Sequence, residues 1–210
     1  MILVGQFDSP FVRRVAITLH LYGMPFTRNA ISVFTDATLM ARINPLIRIP
    51  SLVLDSGETL IDSTAILDTL DEMVGPDRAL TPPCGAARRQ VLQATAMATG
   101  AIDKAGAWVY ERHFHPPGQR NGTLLARYES QLAGALSWLD AQTCDGRLCG
   151  PALSQADVTA AALVFYLKLR VVPAFPEGRY PRLAALCDAL EASNAFIAAR
   201  PSPDEVMPAT

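Results

Sequence analysis

Three short stretches of this 210-residue chain put polar side chains where a folded backbone presents unsatisfied hydrogen-bonding groups. Ser9 directly precedes Pro10, and proline suits the first helical position, so the Ser9 hydroxyl is expected at a helix N-terminus, where negative charge is favoured. A thiolate is one anion that would dock there. A free thiol with a pKa of ~8.5 is only a few per cent ionised at neutral pH, and lowering that pKa by ~1.5–2 units takes ~2–3 kcal/mol of differential stabilisation. One hydroxyl donor plus a helix dipole has the size to supply most of it. Asp62-Ser63 stand at a second predicted helix start, whose first N–H groups can receive a carboxylate. Ile49-Pro50 lies between these two in the chain, just ahead of a predicted strand, with Arg48 as a neighbouring cation. Each stretch also has a plainer reading: Ser9 and Asp62 as ordinary N-caps, Arg48 as a solvated surface arginine.

The elements that position these residues follow from periodicity. Ile2-Leu3-Val4 reads as a buried strand, and Pro10 to about Leu21 carries Phe11, Val12, Val15, Ala16 and Leu19 at the spacing of a packed helix. Pro25 to Ser32 predicts a second strand and Asp36 to Ile43 a short helix. Leu52-Val53-Leu54 and Thr59-Leu60-Ile61 flank the turn residues Asp55-Ser56-Gly57-Glu58, a hairpin pattern. Asp62 then caps a helix whose apolar face is expected to comprise Ala65, Ile66, Leu67, Leu70 and Met73, ending near Gly75-Pro76. The predicted order is βαβαββα.

A Pro/Gly stretch from Gly75 to Gly85 interrupts every element and predicts a linker over 77–86. The chain beyond it reads as helices over Ala86–His113, Leu124–Ala141, Gln155–Leu169, Arg182–Glu191 and Ala195–Arg200. Ser154-Gln155-Ala156-Asp157 spells a capping box, with Leu153 and Val158 as its hydrophobic staple. The expected domains are therefore 1–76, α/β, and 87–210, all-helical.

Composition narrows the function. Half the residues are hydrophobic, 18% are charged and the mean hydropathy is +0.20, too apolar for a disordered chain. A net charge of −2 and a pI near 5.9 provide no field to attract nucleic acid or anionic lipid. The longest apolar run, Val158 to Leu167, is about ten residues against the ~20 a membrane span needs. No charged and then apolar leader precedes Arg13, so a cytoplasmic protein with reduced Cys84, Cys144, Cys149 and Cys187 is expected. Asn121-Gly-Thr123 matches a glycosylation sequon by chance on that reading. His113, His115 and distant His20 do not make a metal set, Cys144 and Cys149 lack C-x-x-C spacing, and there is no Gly-rich phosphate loop.

Taken together, Ser9-Pro10-Phe11-Val12-Arg13-Arg14-Val15, Asn44-Pro45-Leu46-Ile47-Arg48-Ile49-Pro50 and Ile61-Asp62-Ser63-Thr64-Ala65-Ile66-Leu67 resemble the glutathione transferase superfamily, in order and spacing along nearly the whole chain. The resemblance implies a thioredoxin-like N-terminal domain that binds glutathione and an all-helical domain that takes a second substrate. It implies Ser9 as the catalytic residue, stabilising the glutathione thiolate for attack on a small hydrophobic electrophile in a detoxification reaction. Phe11, Arg48, Ile49, Pro50, Asp62 and Ser63 become glutathione contacts, with Ile49-Pro50 cis, Arg48 toward the glycine carboxylate, Ser63 toward the γ-glutamyl carboxylate and Asp62 toward its ammonium. Trp108, Tyr110 and Tyr166 become candidates for the second-substrate pocket, although aromatics at helical spacing also serve as core. A homodimer with glutathione as co-substrate, no metal, no nucleic acid and no membrane partner completes the expectation. Two departures stand out: Ile47-Arg48-Ile49-Pro50 replaces the family's usual Gly-Lys-Val-Pro, and Asp62 stands where Glu is commoner. They leave open a non-catalytic binding or regulatory module on the same fold.

Overall fold

The computed structural model describes residues 1–205. The chain forms two compact units, one comprising Met1–Pro83 together with the described residues from Ala192 onward, the other Cys84–Glu191.

The first unit contains β1 (Ile2–Val4), α1 (Pro10–Tyr22), β2 (Thr27–Asn29), α2 (Ala37–Ile43), β3 (Ser51–Val53), β4 (Thr59–Ile61) and α3 (Ser63–Val74), the expected βαβαββα order. Its four-stranded sheet runs β2-β1-β3-β4, with β2 parallel to β1 and the other pairs antiparallel. β2 is shorter than expected and fully exposed. Pro25 brings no N–H to a ladder, and the Ile31 N–H turns back to the Asn29 carbonyl at 2.9 Å, which ends the strand.

Helix α1 starts at the Ser9 cap, with Pro10 in the first turn, and stops at Gly23, whose φ of 66° is the left-handed geometry of a helix C-terminus. Nearly all of it is buried, because α3 and α8 (Asn194–Ala198) both pack on it. Charged side chains are consequently drawn inside. Arg13 donates to the Ala199 and Phe196 carbonyls at 3.1 and 3.2 Å, satisfying acceptors that the end of α8 leaves open. Contact with α1 is why the residues around α8 belong to the first unit, although the sequence reading put them with the helical domain.

Helix α3 buries Ile66, Leu67 and Leu70 as expected, but Ala65 is exposed and Met73 is 49% exposed. Asp71 takes the next buried position instead. Its carboxylate accepts from the Tyr22 hydroxyl and from the Leu80 and Thr81 N–H groups at 3.3 and 3.2 Å. Burial and the Asp71 charge push the Tyr22 phenol well above its ordinary pKa. These bonds, with Arg78 donating to the Tyr22 carbonyl at 2.8 Å, hold the stretch after Gly75 against the first unit as far as Pro83.

The second unit comprises α4 (Gly85–Phe114), α5 (Gly122–Gln142), α6 (Gln155–Arg170) and α7 (Pro181–Glu191). α4 lays Ala94, Ala98, Ala101, Ile102 and Ala105 into the core, a small-residue face that packs against α5 and α6. Asn121 caps α5 by accepting the Leu124 N–H at 3.0 Å, so the chance sequon has a structural use. The capping box at the start of α6 is formed. One carboxylate oxygen of fully buried Asp157 accepts the Ser154 N–H at 2.8 Å, and the other accepts the Leu148 N–H at 2.9 Å. From there α6 is buried almost all round through Leu167.

Candidate functional site

Strand register gathers the three sequence stretches. Val4 pairs with Ser51, and Ser51 pairs with Ile61. The loop leading to Ser9 leaves the sheet just after Val4, Pro50 enters it just before Ser51, and Asp62-Ser63 follow directly on Ile61. Because β3 is antiparallel to both neighbours, these three junctions share one end of the sheet, across ~10 Å at ~4.8 Å per strand.

Ser9 accepts the Val12 N–H at 3.5 Å, a long capping bond that uses an oxygen lone pair. Its hydroxyl proton remains available to donate outward, so capping and anion stabilisation do not compete. Phe11, two residues on, is half-buried, with the Arg14 guanidinium 6.0 Å from its ring centroid.

The Ile49–Pro50 peptide is cis, as expected from the resemblance. Asn44, 2% exposed, fixes the loop ahead of it: its side chain accepts the Leu46 N–H at 3.0 Å and donates to the Arg48 carbonyl at 2.9 Å. That clamp holds Ile47 at φ 52°, a left-handed conformation costly for a β-branched residue, and leaves it 40% exposed. The Arg48 side chain is exposed and has no ion-pair partner among the described residues, while Ile49 is half-buried with its backbone outside the β ladder.

Gly5 makes this convergence possible, a role the sequence reading did not find. Its φ is 131°, and a Cβ there would stand 2.6 Å from Val12 Cγ2 and 2.9 Å from Ile49 Cβ. The first turn of α1 and the cis-proline loop therefore meet across a glycine that has no side chain to keep them apart.

Asp62 is exposed, sits at φ 66° and caps α3 by accepting the Thr64 N–H at 2.7 Å. Ser63 is buried, and its hydroxyl accepts from Arg14 Nη2 at 2.8 Å; the same nitrogen donates to Thr64 Oγ1 at 3.1 Å. Arg14, fully buried, was read only as part of a motif. It adds a fixed cation to the positive end of α3 and occupies an acceptor site on Ser63, whose proton is then the group left to donate.

The three expected pocket aromatics do not form a cluster. Trp108 is 7% exposed, donates its indole N–H to Glu129 Oε1 at 3.0 Å and lies under the Arg112 guanidinium, so it ties α4 to α5. Tyr110, two residues further along the helix and so on another face, is 47% exposed and meets the Phe114 ring edge-on. Tyr166 is buried in α6.

The four cysteines are free thiols. Burial, reinforced by Asp157, pushes the Cys149 thiol up to about 11, and burial raises fully buried Cys187 further. Neither is a ready nucleophile at neutral pH. Among the described residues no cluster of His, Cys, Asp and Glu is arranged to hold a metal ion, and no helix is long and apolar enough to cross a membrane.

A βαβαββα thioredoxin-like unit with an N-capping serine, a cis-proline loop and a helix start at one sheet end, joined to a helical unit, defines a class of two-domain proteins. Within it, residues 3–78 match the model of the glutathione S-transferase N-terminal domain and residues 122–189 that of the C-terminal domain. The chain is 30% identical over 203 residues to the uncharacterized GST-like protein YibF of Escherichia coli (strain K12), covering 96% of this chain and 98% of that one. It therefore belongs to the glutathione S-transferase superfamily. A solved glutathione S-transferase from Methylobacterium radiotolerans, in complex with glutathione sulfonate, superposes with a TM-score of 0.88 at 29% identity, over 95% of this chain and 94% of that one. Another, from Methylobacillus flagellatus with glutathione bound, gives 0.88 at 26% identity, over 96% and 99% of the two chains.

Proposed function

We propose that this protein binds glutathione at the shared end of the first unit's sheet and transfers its thiolate to a small hydrophobic electrophile. The observation that carries this reading is the Val4–Ser51–Ile61 register, which lines up an N-capping serine, a cis-proline loop and the start of α3. The glutathione complexes of relatives of the same fold support the choice of ligand. In the proposed mode the peptide runs past Ile49 by strand-like hydrogen bonds. Its glycine carboxylate meets Arg48, its γ-glutamyl carboxylate meets Ser63 and the first N–H groups of α3, and its ammonium meets Asp62. The Ser9 hydroxyl donates to the sulfur and favours the thiolate. The thiol proton passes to solvent, and the thiolate attacks the electrophilic carbon directly. The C–S bond forms as the carbon's bond to its leaving group breaks, and that group departs with the electron pair (chloride from chlorodinitrobenzene). The enzyme need not form a covalent intermediate and acts by positioning and charge stabilisation. Tyr110 is the one expected pocket aromatic with an exposed ring to offer a second substrate. A homodimer working in the cytoplasm in detoxification belongs to the same proposal.

Titrating the bound thiol tests it. Ser9→Ala should raise the pKa of enzyme-bound glutathione and cut turnover of chlorodinitrobenzene at neutral pH with Kd nearly unchanged. Asp62→Ala and Ser63→Ala should each weaken binding by ~1–3 kcal/mol, because a charged ligand group loses its partner. Wild-type affinity in both would overturn the ligand pose. Exposed Ile47, where the family has glycine, favours a second reading, a glutathione-binding module without turnover. Binding to immobilised glutathione with no turnover of any electrophile would select it.

A further inference from the structure

The loop that delivers Ser9 is held by a residue near the other end of the chain. Phe7, two residues before Ser9, donates its N–H to Glu205 Oε2 at 3.4 Å, a contact spanning 198 positions. The other Glu205 oxygen pairs with Arg28 of β2, and the Arg28 guanidinium lies 3.6 Å from the centroid of the Phe7 ring. Glu205 is 5% exposed and Phe7 is 3% exposed. The Ser202 N–H also donates to Glu205, at 3.4 Å, which folds the tail around its own carboxylate. The tail reaches this place because Arg13, on the helix that Ser9 caps, grips the carbonyls at the end of α8.

Gly5 donates to the Asn29 carbonyl at 2.9 Å and Ser9 to the Gln6 carbonyl at 3.2 Å, leaving Phe7 as the midpoint that the tail secures. A buried carboxylate at a loop midpoint is costly unless charge and hydrogen bonds are both matched, and here Arg28 and Phe7 match them.

We infer that Glu205 is a positioning residue for Ser9: with Arg28 it clasps Phe7 and thereby fixes the distance of the Ser9 hydroxyl from the ligand sulfur. The inference rests on the proposed glutathione site. A clasp of this kind makes the turn at Pro203–Glu205 part of the apparatus that sets thiol ionisation, while the peptide contacts at Ile49 and Ser63 stay outside it. Its signature is a change in thiol pKa without a matching change in affinity.

The test uses the full chain with glutathione as probe, following thiolate absorbance against pH, affinity by calorimetry and melting temperature. Glu205→Ala should raise the pKa of bound glutathione by about half a unit to one unit, lower kcat at neutral pH about three- to tenfold, and leave Kd within about twofold. Glu205→Gln, which keeps an acceptor for Phe7 but loses the negative charge that pairs with Arg28, should give a smaller shift in the same direction and serves if the alanine variant folds poorly. In a Ser9→Ala background, Glu205→Ala should add almost nothing. If Ser9→Ala shifts the thiol pKa while both Glu205 variants change melting temperature alone, the clasp is merely structural and the inference falls. An equal Glu205 effect with and without Ser9 also overturns it. If Ser9→Ala itself leaves the thiol pKa unchanged, the thiolate role fails first and the positioning role fails with it.

Discussion

Replacing Gly5 by alanine puts a methyl group into the contact between α1 and the cis-proline loop. That methyl would lie 2.6 Å from Val12 Cγ2 and 2.9 Å from Ile49 Cβ, about 1 Å inside ordinary van der Waals contact. Neither neighbour can swing away: Val12 is a β-branched side chain in a helix, fully buried, and the Ile49 atom is the Cβ itself. Overpacking of this kind costs ~1–3 kcal/mol, and an L-residue at a φ of 131° adds ~1–2 kcal/mol, so Gly5→Ala should lose ~2–5 kcal/mol. A control separates the two causes. Gly57 also has a positive φ, 88°, but a Cβ there meets nothing within 4 Å, so Gly57→Ala should lose only ~1 kcal/mol. Both substitutions narrow the unfolded ensemble alike, which removes that contribution from the comparison. Urea unfolding gives the two stabilities, and calorimetry on the folded fraction should show weaker glutathione binding in Gly5→Ala alone, because Ile49 is displaced. Equal losses in the two variants, within ~0.5 kcal/mol, would refute the close approach and its role in shaping the site.

Asp157→Ala should lower stability by ~2–4 kcal/mol, the loss of a cap plus two N–H groups left unmet, and slow refolding with glutathione affinity intact; reduced affinity in a fully stable variant would move this aspartate into the site. Ile47→Gly should stabilise the chain by ~1 kcal/mol in urea unfolding by relieving the left-handed conformation, and no gain would show that the Asn44 clamp does not strain it. Stability should be fully present below the ordinary thiol pKa of 9.0 and fall as the pH rises toward 11, because folded Cys149, Cys187 and Tyr22 keep protons that the unfolded chain releases. A flat urea-derived profile over that range would refute it.

What the sequence made legible was local. Ser9-Pro10, the Asp62 cap, the hairpin and the Ser154–Asp157 box are set by neighbours within four positions, and each was found where periodicity and capping chemistry put it. The features that escaped depend on contacts across the chain. Arg13 and Arg14 carry no signal of burial within their own stretch, yet both are buried because α8 and α3 pack on α1. Asp71 displaced Met73 from the buried face of α3 because the Tyr22 hydroxyl and the N–H groups of Leu80 and Thr81 supply it with partners 9 to 49 positions away. Trp108 stood as a candidate for either pocket or core, and only the fold shows that its indole N–H has an acceptor in Glu129 on the next helix. Glycine at position 5 carried no motif, and only the approach of Ile49 discloses its use.

The rung formed by Val4, Ser51 and Ile61 also bears on how the first unit opens and closes. Three chain segments far apart in sequence end on it, so a ligand spanning that end cannot stay bound while any one strand detaches. Binding then suppresses strand separation by the factor 1 + [L]/Kd, for amides that the ligand never touches. Hydrogen exchange at Val4, Leu52 and Leu60, whose amides face the β1–β3 and β3–β4 ladders, should slow with glutathione concentration by that common factor, whereas the amides of the edge strand β2, such as Thr27, should exchange independently of it. The sheet and its ligand would behave as one cooperative unit, and the edge strand would lie outside it.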